Sequence, residues 1–331
     1  MRSLAPLFPE KTSLREPIGE VWLTGVDCKV ASGLFAGKTL GEVWKEMPAE
    51  WRGTHFNERS DFPILIKFIF PNDKLSIQVH PDDVYAAVHE KAAGGRGKTE
   101  MWHVISAETD ARVLIGLVPK ANREKFVTAI ETQTLEEIFV HWRVQPGDTF
   151  FVPAGTPHTI GPGMVLCEIQ EYSDLTYRVY DYGRVDALGK PRELHIQKAL
   201  DVIQFGRPVH GKVSRISLPS HGSQRVLLSA CPYFATERWK IIVPVEAASD
   251  PEHFELFIVL TGNGEFAWSG RSAKFQYGEC WMIPAGLGRF SLSPQCPTKL
   301  LRTYVPDIQK LRDGLKQKNH SWQEIEKTVF D

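Results

Sequence analysis

Apolar residues along this chain fall in short runs rich in β-branched and aromatic side chains, each closed by Gly, Pro, Asn or Asp. That texture predicts strands at Ile64–Phe70, Leu75–Val79, Met101–Ile105, Arg112–Leu117, Thr149–Val152, Val165–Ile169, Lys240–Val243, Phe254–Leu260 and Cys280–Ile283. The runs follow one another too closely for helical crossovers between parallel strands. A mainly β chain, folded as a sandwich or barrel, is therefore expected. Helical spacing is rarer. It appears at Asp82–Glu90, where two Asp residues favour a helix N-terminus, and at Leu194–Phe205. Asn122–Thr132 and Leu135–Phe139 form a short helical insertion at about 118–141, and Val305–Phe330 holds one or two peripheral helices.

One strand-turn unit occurs twice. Residues 146–158 read PGDTFFVPAGTPH and residues 277–289 read YGECWMIPAGLGR. Each has a Gly, an acidic residue, a short apolar strand and then Pro-Ala-Gly, which suggests two β domains of one type in tandem. The expected division is 1–210 and 211–331. The first copy ends in His158 and the second in Arg289, which offers no lone pair to a metal. The second domain does place His253 and Glu255 two apart on one strand. It is nevertheless expected to be a barrel without a metal, its interior packed with Phe, Leu and Trp.

Composition narrows the class. The chain has 331 residues, a formal net charge of -1 and 42% apolar residues, the balance of an ordinary globular protein. Disorder and a dedicated nucleic-acid surface are both disfavoured. No run is long enough to span a bilayer, and the first residues lack the apolar core of a secretory signal. Five scattered cysteines with no CxxC pair fit buried thiols in a cytoplasmic protein.

Three segments carry chemistry. In LSIQVHPDD, Ser76, Gln78 and His80 leave one face of a strand whose other face is apolar. That row is either solvent-facing or lines a polar barrel mouth. KTEMWHV puts Lys98 and Glu100 on one face, with His103 on the other. PAGTPHTIGPG places His158 on the turn after a strand. Two His, a Glu and a neighbouring Gln make an N/O donor set suited to a divalent metal such as zinc, with room left for water or substrate. The Tyr-rich run EYSDLTYRVYDYGR contributes Arg178 and Arg184. Beside a metal pocket these would neutralise an oxyanion or phosphate more naturally than bind nucleic acid. The glycine-rich Gly94–Gly97 loop lacks the ending of a phosphate-cradling P-loop.

With these segments in hand, the chain resembles the type I mannose-6-phosphate isomerases in their short bacterial form. The matching residues are IGEVW at 18–22, IKFIFPNDKLSIQVHPDD at 66–83, GKTEMWHV at 97–104, PGDTFFVPAGTPHTIGPG at 146–163 and EIQEYSDLTYRVYDYGR at 168–184. The resemblance implies a cupin fold, two tandem barrels, and one zinc ion held by His80, Glu100 and His158 with Gln78 as fourth ligand. It implies Arg178 as the catalytic Arg and Lys98 as an active-site Lys. Ser76, Lys67 and Arg184 would contact phosphate, Arg184 standing where longer members have Lys. The implied reaction interconverts mannose 6-phosphate and fructose 6-phosphate through a cis-enediol, with the base left open among Lys98, a ligand carboxylate and bound water. Two other readings stay open on the residues: a different metal-dependent cupin enzyme, and a non-catalytic sugar-binding cupin.

Overall fold

The structure, a computed structural model, describes residues 4–8, 18–56, 60–185 and 188–331. It is mainly antiparallel β and divides into two compact units, one of residues 68–213 and the other of residues 1–67 with 214–331. The C-terminal edge of the first unit falls within three residues of the expected 210. The first 67 residues do not belong with it. They group with the C-terminal segment because Trp44 and Phe62 stack edge-on or tilted against Phe254, at 5.3 and 5.6 Å between ring centroids. Sequence texture does not reveal that pairing, because it joins segments some two hundred positions apart.

In the 68–213 unit two sheets enclose one core. One contains, in order, Met164–Glu171, Glu100–Ala107, Thr149–Val152 and Gly211–Lys212. The other runs Tyr177–Tyr180, Ile77–Val79, His158–Ile160, Arg112–Leu117 and Phe139–Arg143. Trp102, Val104, Phe150, Val152 and Leu166 from the first sheet meet Val113, Ile115 and Ile160 from the second. The outer face of the second sheet is covered by the helices Arg123–Glu131 and Ile196–Val202, whose Phe126, Ala129, Ala199 and Leu200 pack on Ile77 and Val79. The apolar side of the Ile77–Val79 strand is thus the outside of the sandwich. Ser76 and His80 are buried on the other side, so the solvent-facing reading of that row fails.

Several limits shift. Asp82 and Asn122 act as caps outside the helices Asp83–His89 and Arg123–Glu131, their side chains accepting from Tyr85 and Lys125 amides. The helical insertion stops at Ile138, since Phe139–Arg143 is a strand paired with Arg112–Leu117. Leu75 lies just before its strand. The Lys240–Val243 expectation catches only the end of a longer strand, Phe234–Ile241; Ile242 and Val243 are exposed just before Pro244.

The other unit has a six-stranded sheet in the order Ile216–Leu218, Ser223–Cys231, Phe234–Ile241, Thr298–Tyr304, Glu255–Thr261, Cys280–Ile283. A four-stranded sheet, Val245–Ala248, Arg289–Pro294, Asn263–Trp268, Arg271–Gln276, faces it. Phe257, Phe266, Phe275, Phe290, Leu292 and Trp239 fill the space between them. The helices Ile308–Gln317 and Trp322–Ile325 bury Leu315 and Ile325 on the outer face of the larger sheet.

Candidate metal centre

Turn geometry converges the three chemistry-bearing segments. Past His80 the chain turns at Pro81 into the Asp82-capped helix and returns through Gly97. A Cβ on Gly97 would sit 2.6 Å from the Asp82 carbonyl carbon and the Asp83 nitrogen, so only glycine passes there. Its amide donates to Asp83 Oδ1, and the next amide, of Lys98, donates to Pro81 O at 3.0 Å. Lys98 and Glu100 are thereby fixed beside His80. The Pro153-Ala154-Gly155 turn is stitched to the same place. Ala154 N–H donates to Thr99 Oγ1, and Gly155 N–H donates to His80 O at 2.8 Å. Gly155 has φ +79°, and a side chain on it would strike Val202 O, so glycine is required here too. The chain then re-enters the sheet with His158 directly opposite Gln78.

The result is a buried donor cluster. His80, Glu100 and His158 are at most 2% exposed, and their ligand atoms lie within 4.8 Å of one another. His80 Nε2 is 3.6 Å and His158 Nε2 3.3 Å from the Glu100 carboxylate. Both imidazoles donate through Nδ1 to backbone carbonyls, Leu175 O and Thr156 O, each at 2.8 Å. That second bond fixes the tautomer and leaves the Nε2 lone pair facing Glu100. Burial, with a further push from Lys98, drops His158 to about 4, so its ring is a neutral donor at pH 7. Among the described residues, no hydrogen-bond donor apart from Lys98 reaches the fully buried Glu100 carboxylate. An unsolvated carboxylate between two lone pairs is unfavourable unless a cation joins it. The residues present therefore fit a divalent metal. Gln78 has its amide nitrogen 3.3 Å from His158 Nε2; a half-turn of the amide would present the oxygen instead.

Lys98 is buried, 2.8 Å from Glu100 Oε2 and 3.7 Å from Glu168 Oε1. Burial alone would lower its pKa, but the two carboxylates outweigh that and hold it protonated far above the usual range.

Comparison with known proteins identifies the family. The chain is 36% identical over 266 residues to the mannose-6-phosphate isomerase ManA of Bacillus subtilis, covering 80% of this chain and 81% of that protein. It belongs to the type I mannose-6-phosphate isomerases. The family's models agree: "Phosphomannose isomerase type I, catalytic domain" matches residues 3–106, and "Mannose-6-phosphate isomerase, cupin domain" matches residues 224–305. The mannose-6-phosphate isomerase of Streptococcus mutans is 35% identical over 275 residues, 81% of this chain and 83% of that one. Among solved structures, the mannose 6-phosphate isomerase of Bacillus subtilis superposes with a TM-score of 0.79 at 31% identity, over 86% of this chain and 89% of that one.

Of the residues read from the sequence, Gln78, His80, Lys98, Glu100 and His158 come together, and Ser76 is buried two positions before Gln78. Arg178 stands opposite Gln78 on the neighbouring strand and shares its face; its guanidinium donates to Glu193 O. Arg184 follows on the next turn and donates to Asp181 and Lys74 O. Lys67 is buried in the other unit, 3.6 Å from Glu20 and over the Trp22 ring. His103 is tied to Thr149 on the opposite face from Glu100.

Three features escaped the sequence reading. Glu168 shares Lys98. Arg192 grips Asp181 together with Arg184, and the charges of both arginines bear on Arg178. Buried Glu171 is pushed up to about 9, first by burial and then by its hydrogen bond to Asp83. Arg192 lies in KPRELH, a segment with no strand or helix period to flag it.

Proposed function

We propose that the protein interconverts mannose 6-phosphate and fructose 6-phosphate by moving a proton between C1 and C2 through a cis-enediol. The observation that carries this is the buried His80–Glu100–His158 cluster, whose carboxylate faces two imidazole nitrogens with Lys98 at one oxygen, in a chain of this family. His80, Glu100 and His158 would hold one divalent ion, zinc being the ion best suited to this donor set, with the Gln78 oxygen as fourth ligand. When bound, such an ion supplies Lewis acidity toward the sugar's oxygens.

The chain's own groups do the rest. Arg178, on the same face as Gln78, is the fixed cation for the negative charge that develops on O1 or O2. Lys98, buried beside Glu100 and Glu168, is the side chain placed to exchange a proton with the substrate. Arg184, with Ser76, is assigned to the phosphate. Trp102 and Ile160 form the dry floor under the donors, which strengthens every charge interaction above it. Five cysteines scattered along the sequence with no CxxC pair suit a cytoplasmic enzyme, and the substrate is a small phosphosugar.

The test is a coupled assay for fructose 6-phosphate formed from mannose 6-phosphate, run with and without a chelator, alongside elemental analysis. Turnover that falls with the metal and returns with one equivalent of zinc supports the reading. Full turnover in demonstrably metal-free protein overturns it.

A further inference from the structure

The second unit has a charged tier where its apolar filling was expected to continue. Glu255 pairs with Ile283, the residue before Pro284-Ala285-Gly286, just as Glu100 pairs with Val152 before Pro153-Ala154-Gly155. Two positions on, Phe257 pairs with Arg302, as Trp102 pairs with Glu168. By register, then, Glu255 stands in the place of Glu100 and Arg302 in the place of Glu168. Arg302 carries its cation with it. Its Nε and Nη2 donate to the two Glu255 oxygens at 2.9 and 2.6 Å, and its Nη1 donates to Glu237 at 2.9 Å. Arg225 donates twice to the other Glu237 oxygen, which Trp239 also reaches at 2.7 Å.

Beside this tier lies a cavity of about 270 Å³, lined by Arg225, Trp239, Glu255, Phe290 and Arg302, with the Pro219–His221 turn at one side. The tier's charges cancel, Glu237 and Glu255 against Arg225 and Arg302. Each guanidinium has five N–H donors. Arg302 commits three of them and Arg225 two, so donors remain for whatever enters. Trp239 and Phe290 add aromatic wall. A balanced tier gives an anion no net attraction, and Glu246, also lining the cavity, opposes one. An oxygen-rich neutral molecule can accept from the spare N–H groups and lay C–H surface on the rings. The volume lies near the small end of ligand pockets, enough for a single ring.

We propose that this cavity is a second ligand site, separate from the metal centre, for an uncharged hydroxylated molecule of hexose size. The test is saturation-transfer NMR and calorimetry with D-mannose, mannitol and inorganic phosphate, on the parent protein, Glu100→Gln, Arg225→Met and Ala247→Leu. Arg225→Met removes donors but leaves Glu237 with Trp239 and Arg302, and Ala247→Leu fills the cavity. Saturable binding of mannose or mannitol is expected in the parent and in Glu100→Gln. It should weaken about tenfold or more in the other two variants, whose turnover of mannose 6-phosphate stays at the parent level. Absence of saturable binding in the parent overturns the proposal, a result that needs no variant to fold. So does binding abolished by Glu100→Gln, or phosphate bound more tightly than either polyol.

Discussion

Removing the Lys98 ammonium should cost this protein more stability than an ordinary core substitution. Lys98→Met keeps the length and burial of the side chain but deletes the charge 2.8 Å from Glu100 and 3.7 Å from Glu168. Two buried carboxylates then lose the ammonium they share. Breaking a buried pair by deleting one partner costs about 3–5 kcal/mol. At roughly 2–4 °C per kcal/mol for a domain of this size class, the melting transition should drop by about 6–20 °C. The deficit should be largest in chelator. With a divalent ion on Glu100, only Glu168 remains exposed to the loss, so the gap should narrow in metal-loaded protein. Lys98→Met with Glu168→Gln should recover much of the deficit, because one of the two stranded charges is gone. The assay is scanning calorimetry of the parent, both single variants and the double variant, each with chelator and with zinc. If Lys98→Met melts with the parent in chelator, or if Glu168→Gln gives no rescue, the charge accounting at this site is wrong.

Other outcomes follow from the same geometry. Arg178→Ala should lower kcat by about 10²–10³-fold, as expected for loss of an oxyanion donor, with metal content unchanged; a rise in KM alone would move Arg178 to ground-state binding. Glu171 is held protonated in the fold, up to about 9 against an ordinary 4.5, so the unfolded chain releases its proton first and stability falls as pH rises through that window. Glu171→Gln should therefore melt above the parent at about pH 8 and close to it at about pH 5, and equal melting at both would refute the buried acid pair. His253→Ala removes a ring stacked 4.3 Å from Tyr304 and should lower the melting temperature while leaving metal stoichiometry and turnover at the parent level. Loss of a metal ion in that variant would reveal a second metal site.

Much of this was legible because local chemistry carried it. Strand periodicity located nine of the 21 strands among the described residues, and the Pro-Ala-Gly turns marked where two of them end. A Ser-Gln-His row on one strand face allowed either a solvent-facing surface or a polar mouth, and only the helices over Ile77 and Val79 show which face is inside. What stayed hidden was set by distant pairing. Glu168 lies in a strand buried along its whole length, so nothing in VLCEIQE distinguishes a charged partner of Lys98 from a surface glutamate until the ladder puts it opposite Trp102. Arg192 becomes visible only when Asp181 gathers it with Arg184. The grouping of residues 1–67 with the C-terminal unit rests on Trp44 and Phe254, which no short-range pattern connects.

The repeated turn shows how far a shared backbone can diverge in electrostatics. At corresponding ladder positions one unit places Glu100 and Glu168 and the other Glu255 and Arg302, with Lys98 and His253 each two residues before the first of the pair. Lys98 brings one positive charge to Glu100 and Glu168, and Glu100 lies between two imidazole lone pairs, a setting that suits a dication. In the second tier the exchange of Glu168 for Arg302 reverses the sign at one corner. Glu255 then has both oxygens taken by a guanidinium, and Arg289 follows its turn where His158 follows the other. The change of charge on this strand, with Arg289 after the turn and the Arg225–Glu237 pair beside it, accompanies a neutral, donor-rich recess in place of a cluster that fits a metal. The Pro-Ala-Gly repeat is blind to that difference, because the turn fixes where the ladder starts and the residues two strands away decide what it holds.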